Sequence, residues 1–480
     1  MLMNLLDIPA DCLTCVFEYL NVEDLAKCLE VCKDFREAAT ASFIWRSHCL
    51  SRWSFCNISS IAEGDTSRWY RYYGLRRSRD SHMERGRPGA DYTAKTLRGH
   101  KGQVCDVVYI SSPDPNDIDS QCPSVVASCG VDGTVKTWAV KEGSVVWESG
   151  KHGCSVRCLS VNSVHQLLVS SDEKGCTCVW NTETGQETSV LIPAGQECPI
   201  LSTTVVSRRS KDDQPLLLAA HADGFVRLWD VGRSSQPVHT ISATQSTNWL
   251  SFCPNDSNML ATAAMQRSPV IQVWDLRCLS SLSEDDDHVP LSSLLCEISA
   301  PSRVSCISWL SKYKDRLVVG CTSGELGVCI VDRPHSMSGN PLLLGPPSSC
   351  QGHDGGIECL GVSGNTVVTG GRDHVVSVWE VQSDQMIRRQ QHKDHKDLVT
   401  GVHVDGYRVV SCSVDYSIRA YRWTSPAPPA RRGARLLESR YTLLGGSLRA
   451  NRSGFSKVVC DYSSCIGIAG DTVKAYNFRS

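Results

Sequence analysis

Residues Gly352 to Val381 read GHDGGIECLGVSGNTVVTGGRDHVVSVWEV. A Gly-His pair opens the stretch, and a short run follows with apolar residues at Ile357, Leu360 and Val362. Ser363-Gly364-Asn365 marks a turn. Thr366 to Thr369 form a second run, Arg372-Asp373 centres a polar turn, and Val375 to Trp379 form a third run. Val375, Val376 and Val378 are β-branched, which suits a pleated, packed strand better than a helix. The stretch reads as a three-stranded antiparallel meander.

The meander recurs. Aspartate stands six residues before an aromatic residue in VDGTVKTW (Asp132, Trp138), ADGFVRLW (Asp223, Trp229), RDHVVSVW (Asp373, Trp379) and VDYSIRAY (Asp415, Tyr421). Three further units lose the aspartate: they end at Trp180, Trp274 and Cys329, with Lys174, Ser268 and Ser323 in its place. A last unit ends near Tyr476. Unit ends lie 42 to 55 residues apart. With this period, Gly-His early and an aromatic late, residues 92 to 480 resemble the WD-repeat family. The resemblance implies four-stranded blades stacked radially around a channel, since one blade cannot bury both its faces alone. It also implies that His and Asp tie each blade's tight turns together, as His100 with Asp132, His353 with Asp373 and His395 with Asp415. Where Lys174, Ser268 and Ser323 stand, that network is expected to be missing and the blade softer. A catalytic reading of the His/Asp pairs has no accompanying nucleophile.

Composition narrows the function. Lys plus Arg is 49 and Asp plus Glu is 51, so no global field attracts nucleic acid or an anionic membrane. No run of eighteen apolar residues is present, and MLMNLLDIPADC lacks the basic region of a signal peptide. The 25 cysteines are scattered singly, several where small apolar residues belong (Cys105, Cys158, Cys306, Cys359, Cys412). They read as reduced core thiols of a cytoplasmic or nuclear protein, with the sequons at Asn57 and Asn451 as chance matches.

Residues 1 to 56 are helical in pattern. Leu13, Val16, Phe17 and Leu20 share one helix face, and Pro9 opens that helix where a missing N–H costs nothing. Asn21 can cap the next helix, with Glu23 and Asp24 in its first turn. The segment is too short to hide its apolar surface alone, so a partner surface is implied. DIPADCLTCVFEYLNVEDLAKCLEVCKDFREAATASFIWR resembles an F-box, with Ile8-Pro9, Leu13, Phe17, Leu20, Leu25, Val31-Cys32 and Trp45 in the family's order and Phe35 in place of its late tryptophan. By this resemblance Pro9, Leu13, Phe17, Leu20, Leu25, Val31, Cys32 and Trp45 dock on the SKP-type adaptor of a cullin–RING ubiquitin ligase. The bland alternative is a helical subdomain packed on the propeller. Cys12, Cys15, Cys28 and Cys32 have a spacing that suggests zinc, but Cys12 fills an apolar F-box position where a thiol simply packs, so no metal is assigned.

Residues 57 to 91 form a connector. Ser67 to Gly74, SRWYRYYG, reads as a short aromatic helix ended by Gly74, followed by a solvated Arg-rich tail. Trp69, Tyr70, Tyr72 and Tyr73 as stacking residues for RNA are the alternative to a strut, but Asp80, Glu84 and Asp91 interrupt the basic run.

Residues 92 to 480 then make an all-β propeller of eight blades, or seven if the stretch from Trp274 to Val331 is a single distorted blade. Tyr92 to Leu97 has no blade of its own and is expected to pair with the last unit, removing its free edge. The insertions at 111–123, 207–215, 280–290, 333–349 and 425–435 all read as loops of one rim. The opposite rim, built of the Gly-His and Asp turns, stays lean and is the expected binding face.

F-box head, connector and propeller in this order resemble the F-box/WD-repeat substrate receptors of SCF ubiquitin ligases. The resemblance implies no chemistry of its own and no cofactor. The adaptor, and through it cullin and RING subunit, bind at one end, and a protein substrate at the other. The alternative is a propeller scaffold in another assembly; a hydrolytic propeller would need paired carboxylates at matched blade positions. In phospho-reading members arginines project into the channel just after the first strand's valine and just before the turn aspartate. Arg157 fills the first slot, and Arg372 and Arg267 the second. Bidentate arginines can grip phosphate or carboxylate, although Glu358 beside them would repel an anion.

Overall fold

The computed structural model describes residues 9–52, 68–112, 122–150, 152–192, 197–206, 215–232, 236–243, 249–253, 256–263, 270–276, 293–313, 315–331, 342–344, 348–383, 385–406, 408–424, 436–444 and 454–479. They form two compact units, a helical one reaching Thr93 and a β one within Ala94–Asn477.

In the helical unit, α1 (Ala10–Phe17) follows Pro9, and α2 (Val22–Cys28) is capped by Asn21, whose Oδ1 accepts the Asp24 N–H at 2.9 Å. The helices α3 (Lys33–Ala39) and α4 (Ser42–Arg52) follow. Phe17 meets Phe35 edge-on at 5.3 Å, so Phe35 packs against a buried side chain of α1. The last helix, α5, runs Arg68–Arg85, straight through Gly74. A helix-interior glycine costs about 1 kcal/mol. Burial of Trp69, Tyr72, Tyr73 and Met83 along α5 outweighs that cost, and Trp45 of α4 packs on Tyr70 and Tyr73 at 4.9 and 5.1 Å. The stop is Gly86, in the left-handed region at φ 56°. Beyond it, Asp91 is fully buried and bound by Arg87 and His82. The Arg87 hydrogen bond comes first among the causes that hold its carboxyl well below the usual range. The expected solvated tail is thus a folded helix end. Three of the four aromatics weighed as RNA stackers are core residues.

The β unit is a propeller of eight sheets. The inner strands are Val104–Ser111, Val156–Asn162, Ile200–Val206, Trp249–Cys253, Val304–Trp309, Ile357–Ser363, Val399–Val404 and Phe455–Cys460, one per blade. Each opens an antiparallel meander; in blade 6, Ile357–Ser363 pairs with Thr366–Gly371, then Val376–Gln382, then Gln385–His392. Val367, Val368, Val376 and Val378 are buried there, as β-branched residues on two packed faces should be.

The ring closes as the sequence implies. Tyr92–Leu97 is the outer strand of blade 8, paired with Thr472–Phe478. Lys474 donates to Thr96 at 2.7 Å. Between blades 8 and 1, the Val104 N–H donates to Gly470 O at 2.8 Å, and Ser124 donates to Asp461 at 2.6 Å. One insertion is more than a loop. Leu342–Leu344 adds a fifth strand to blade 4, parallel to Ser293–Ser299, and Ser348–Gln351 is the outer strand of blade 5. Residues 113–121, 207–214, 280–290, 333–341, 345–347 and 425–435 of the insertions lie outside the described residues.

Candidate functional site

The lean rim rests on hydrogen-bonded tetrads. In blade 6, His353 Nδ1 meets Asp373 at 2.8 Å, its Nε2 meets Thr369 Oγ1 at 2.7 Å, and Trp379 Nε1 donates to the same hydroxyl at 3.0 Å. Blade 1 repeats this with His100, Asp132, Ser128 and Trp138. Blade 7 repeats it with His395, Asp415 and Ser411, and Tyr421 stands in the tryptophan's place. Burial pushes the Asp132 carboxyl up, but hydrogen bonds from the Lys101 N–H, His100 and Thr134 outweigh it and hold the group at about 2. These histidines are buried and engaged at both ring nitrogens, so they are turn braces rather than free bases.

Blade 2 departs from expectation. Lys174 occupies the aspartate slot and is exposed, yet a tetrad forms: Asp172 Oδ2 lies 3.4 Å from His152 Nδ1, His152 Nε2 lies 2.9 Å from Ser170 Oγ, and Trp180 donates to Ser170 at 2.8 Å. Asp172 stands where blades 1 and 6 carry Gly130 and Gly371. A Cβ at either glycine would crowd that blade's own histidine and aspartate. Blade 3 departs in the other direction. It keeps Asp223, but Asp223 binds Arg227 at 2.6 Å instead of a histidine. In blade 5, Ser323 pairs with Ser302 at 2.6 Å. Ser268 of blade 4 lies outside the described residues.

Above this bracing, a cavity of about 460 Å³ opens on the rim, lined by Gln103, Val104, Cys105, Val131, Ser155, Arg157, Glu173 and Ser456. Blades 8, 1 and 2 contribute to it. Arg157 is therefore a rim residue as its slot implies, but its Nε donates to Glu173 at 2.6 Å. Arg372, on blade 6, is held by Glu358 of its own blade. Each arginine thus carries its own counter-charge, and the structure pairs neither with the other. Arg267 lies outside the described residues. Cys105 and Ser456 occupy the slot after the first strand's opening residue in blades 1 and 8, and Val131 and Glu173 the slot before the turn residue. Reading those two slots in every blade, rather than for arginine alone, would have found them.

The helical unit offers a separate surface. Leu13, Phe17, Leu25 and Trp45 form its buried core, and Leu20 and Cys32 are half-buried. Pro9 and Val31 are exposed. The most outward of its large apolar side chains are Val16 (56 % exposed), Tyr19 (89 %) and Val31 (61 %), with Phe43, Leu50, Leu75 and Tyr70 less exposed. Val16 lies in the last turn of α1, and Tyr19 in the turn just after it.

Comparison with known proteins agrees with both units. The F-box-like family model matches residues 5–51, and the WD domain, G-beta repeat model matches 92–139 and 345–380. Among curated proteins, human F-box/WD repeat-containing protein 12 is 23 % identical over 65 % of this chain and 64 % of its own length. Mouse F-box/WD repeat-containing protein 15 is 20 % identical over 97 % of this chain and 96 % of its own. The crystal structure of the computationally designed Ika8 protein superposes with a TM-score of 0.56 at 19 % identity, over 80 % of this chain and 98 % of that one, a likeness of fold alone. A helical head and a WD-repeat propeller on one polypeptide define the class. With an F-box-like segment and WD repeats in one chain, this polypeptide is similar throughout to proteins named F-box/WD repeat-containing.

Proposed function

We propose that the chain is the substrate-recognition subunit of an SCF-type cullin–RING ubiquitin ligase. Residues 1–56 serve as the docking head, 57–91 as the connector and 92–480 as the receptor. The head binds a SKP-type adaptor and, through it, cullin and RING subunit. The propeller's lean rim holds the protein substrate, so the subunit acts by raising effective concentration rather than by chemistry. The observation that carries this reading is the outward apolar set Val16, Tyr19 and Val31. They lie in the F-box-like segment and are left over after the head has built its own core. Of the eight residues named from resemblance, Pro9, Leu20, Val31 and Cys32 remain open to direct contact. Leu13, Phe17, Leu25 and Trp45 act by shaping the surface.

The rim's substrate contacts include Arg157 and Arg372. Their pairing with Glu173 and Glu358 favours a substrate segment of mixed charge over a phosphorylated one, because an incoming phosphate must displace a carboxylate from each arginine. The test is co-purification of adaptor and cullin with the full chain. Both are expected with wild type and lost with Val16→Asp/Tyr19→Asp. Equal recovery from that variant would overturn the assignment.

A further inference from the structure

Blade 2 carries two departures from the repeat that meet at one atom. In blades 1 and 7, the residue two past the turn aspartate is a hydroxyl, Thr134 or Ser417, lying 3.4 and 3.2 Å from the tetrad histidine's Nδ1. That position therefore points at Nδ1. In blade 2 it is Cys176. Two residues on, on the same face of the strand, stands Cys178, whose Sγ lies 4.0 Å from His152 Nδ1. The ligand atoms of His152, Cys176 and Cys178 all lie within 4.8 Å of one another.

The carboxylate of Asp172 lies beside this group, on the histidine's side. Its Oδ1 accepts the Lys174 and Cys176 N–H groups at 3.0 and 2.9 Å, and Oδ2 is left facing Nδ1 at 3.4 Å. That separation exceeds the 2.8 to 3.1 Å of blades 1, 6 and 7. Blade 2 has kept the Trp–Ser–His half of the tetrad and refitted the Nδ1 side with two sulfurs and a displaced carboxylate.

We propose that His152, Cys176, Cys178 and Asp172 bind a zinc ion. Two thiolates, an imidazole nitrogen and a carboxylate oxygen are a donor set that zinc accepts in a tetrahedron, where ligand atoms lie about 3.5–3.8 Å apart. Among His152, Cys176 and Cys178 the spans need to close by no more than about 1 Å, within reach of side-chain rotation, and Asp172 joins by swinging its Oδ2 in from Nδ1 toward the sulfurs. The other ring nitrogen is already held: Ser170 binds Nε2 and is itself fixed by Trp180, the kind of outer bracing that orients a histidine ligand. His152, Asp172 and Cys178 are buried, and half-exposed Cys176 gives the ion its way in. Zinc here replaces the weak His–Asp bond as the tie between the turns of blade 2, and stands independently of any role in ubiquitin transfer.

The test uses the full chain purified without chelator. Elemental analysis is expected to find one zinc per chain, kept in Cys350→Ser and lost in Cys176→Ser and in Cys178→Ser. Cobalt loaded into the stripped wild type is expected to show a thiolate-to-cobalt charge-transfer band and intense tetrahedral ligand-field bands. This readout decides the question without any variant, should either serine variant fail to fold. A wild-type chain free of stoichiometric metal and without that cobalt spectrum overturns the proposal. Zinc retained by Cys176→Ser/Cys178→Ser, or copper in its place, overturns it equally.

Discussion

Blades 6 and 3 look alike as sequence and differ as structures. Both keep an aspartate six residues before a tryptophan. In blade 6 that aspartate binds His353 and joins a chain of hydrogen bonds ending at Trp379. In blade 3 the preceding loop has no histidine. Asp223 turns to Arg227, and neither the Trp229 Nε1 nor either ring nitrogen of buried His221 has a hydrogen bond of ordinary geometry among the described residues. Blade 2 is the converse, with no aspartate in the slot but a tetrad built from Asp172. The histidine of the loop before the inner strand reports the network; the aspartate alone does not. His100, His152, His353 and His395 mark the braced blades 1, 2, 6 and 7.

The largest effect should separate these two aspartates. Asp373→Ala leaves His353 without its Nδ1 partner in a buried site and should cost about 2–3 kcal/mol. Asp223→Ala breaks a partly exposed ion pair with Arg227 and a turn hydrogen bond from the Phe225 N–H, and should cost about 1 kcal/mol. Thermal denaturation of the two variants checks the order. Equal losses would erase the distinction.

A second prediction concerns acid. Burial in blade 3 pushes His221 down from 6.5 to about 4. The unfolded chain therefore binds the proton first, and stability from this site is full above pH 6.5 and lost as pH falls toward 4. At pH 5 the loss is about 2 kcal/mol. His221→Leu should be near neutral at pH 7, since an apolar side chain leaves no unpaired ring nitrogens, and should flatten the decline of melting temperature between pH 6.5 and 4. An unchanged profile would place the acid sensitivity elsewhere.

Two smaller effects sharpen the same contrast. His374, exposed on the blade 6 turn, has φ 66°, where blades 1, 2, 3 and 5 use glycine. His374→Gly should relieve a left-handed backbone and raise stability by about 0.5–1 kcal/mol in a melting experiment. Lys174→Ala should change stability by less than about 0.5 kcal/mol, because the exposed slot residue of blade 2 is not in its tetrad. A larger loss would make Lys174 part of the brace.

The blade count, the closing strand Tyr92–Leu97 and the Asn21 cap were legible in the sequence because each follows from local chemistry: period, an unpaired edge, an orphan N–H. Other features depend on tertiary context. Helix α5 runs past Gly74 because Trp69, Tyr72 and Tyr73 are buried, and only packing on α4 decides that. Leu342–Leu344 finds its partner, Ser293–Ser299, across a long gap in sequence, which no local pattern states. At the candidate sites, residue order within the F-box-like segment did not separate Leu13, Phe17, Leu25 and Trp45, which face inward, from Val16 and Tyr19, which face outward. Slot positions named Arg157 and Arg372, but Glu173 and Glu358, which pair with them, decide their charge. Cys176-x-Cys178 is readable as a pair, but His152 and Asp172 reach it only through the fold of blade 2.

The central claim is that the head is an adaptor-docking surface built from what its core leaves exposed. The most direct measurement is the affinity of a purified SKP-type adaptor–cullin complex for the full chain, taken for wild type, Tyr19→Asp and Val31→Asp, with melting temperature recorded for each. The account predicts tight binding by wild type and more than about tenfold weakening by each variant at an unchanged melting temperature, as apolar anchors at an interface typically show. Binding that is absent in wild type, or equal in all three proteins, would contradict it.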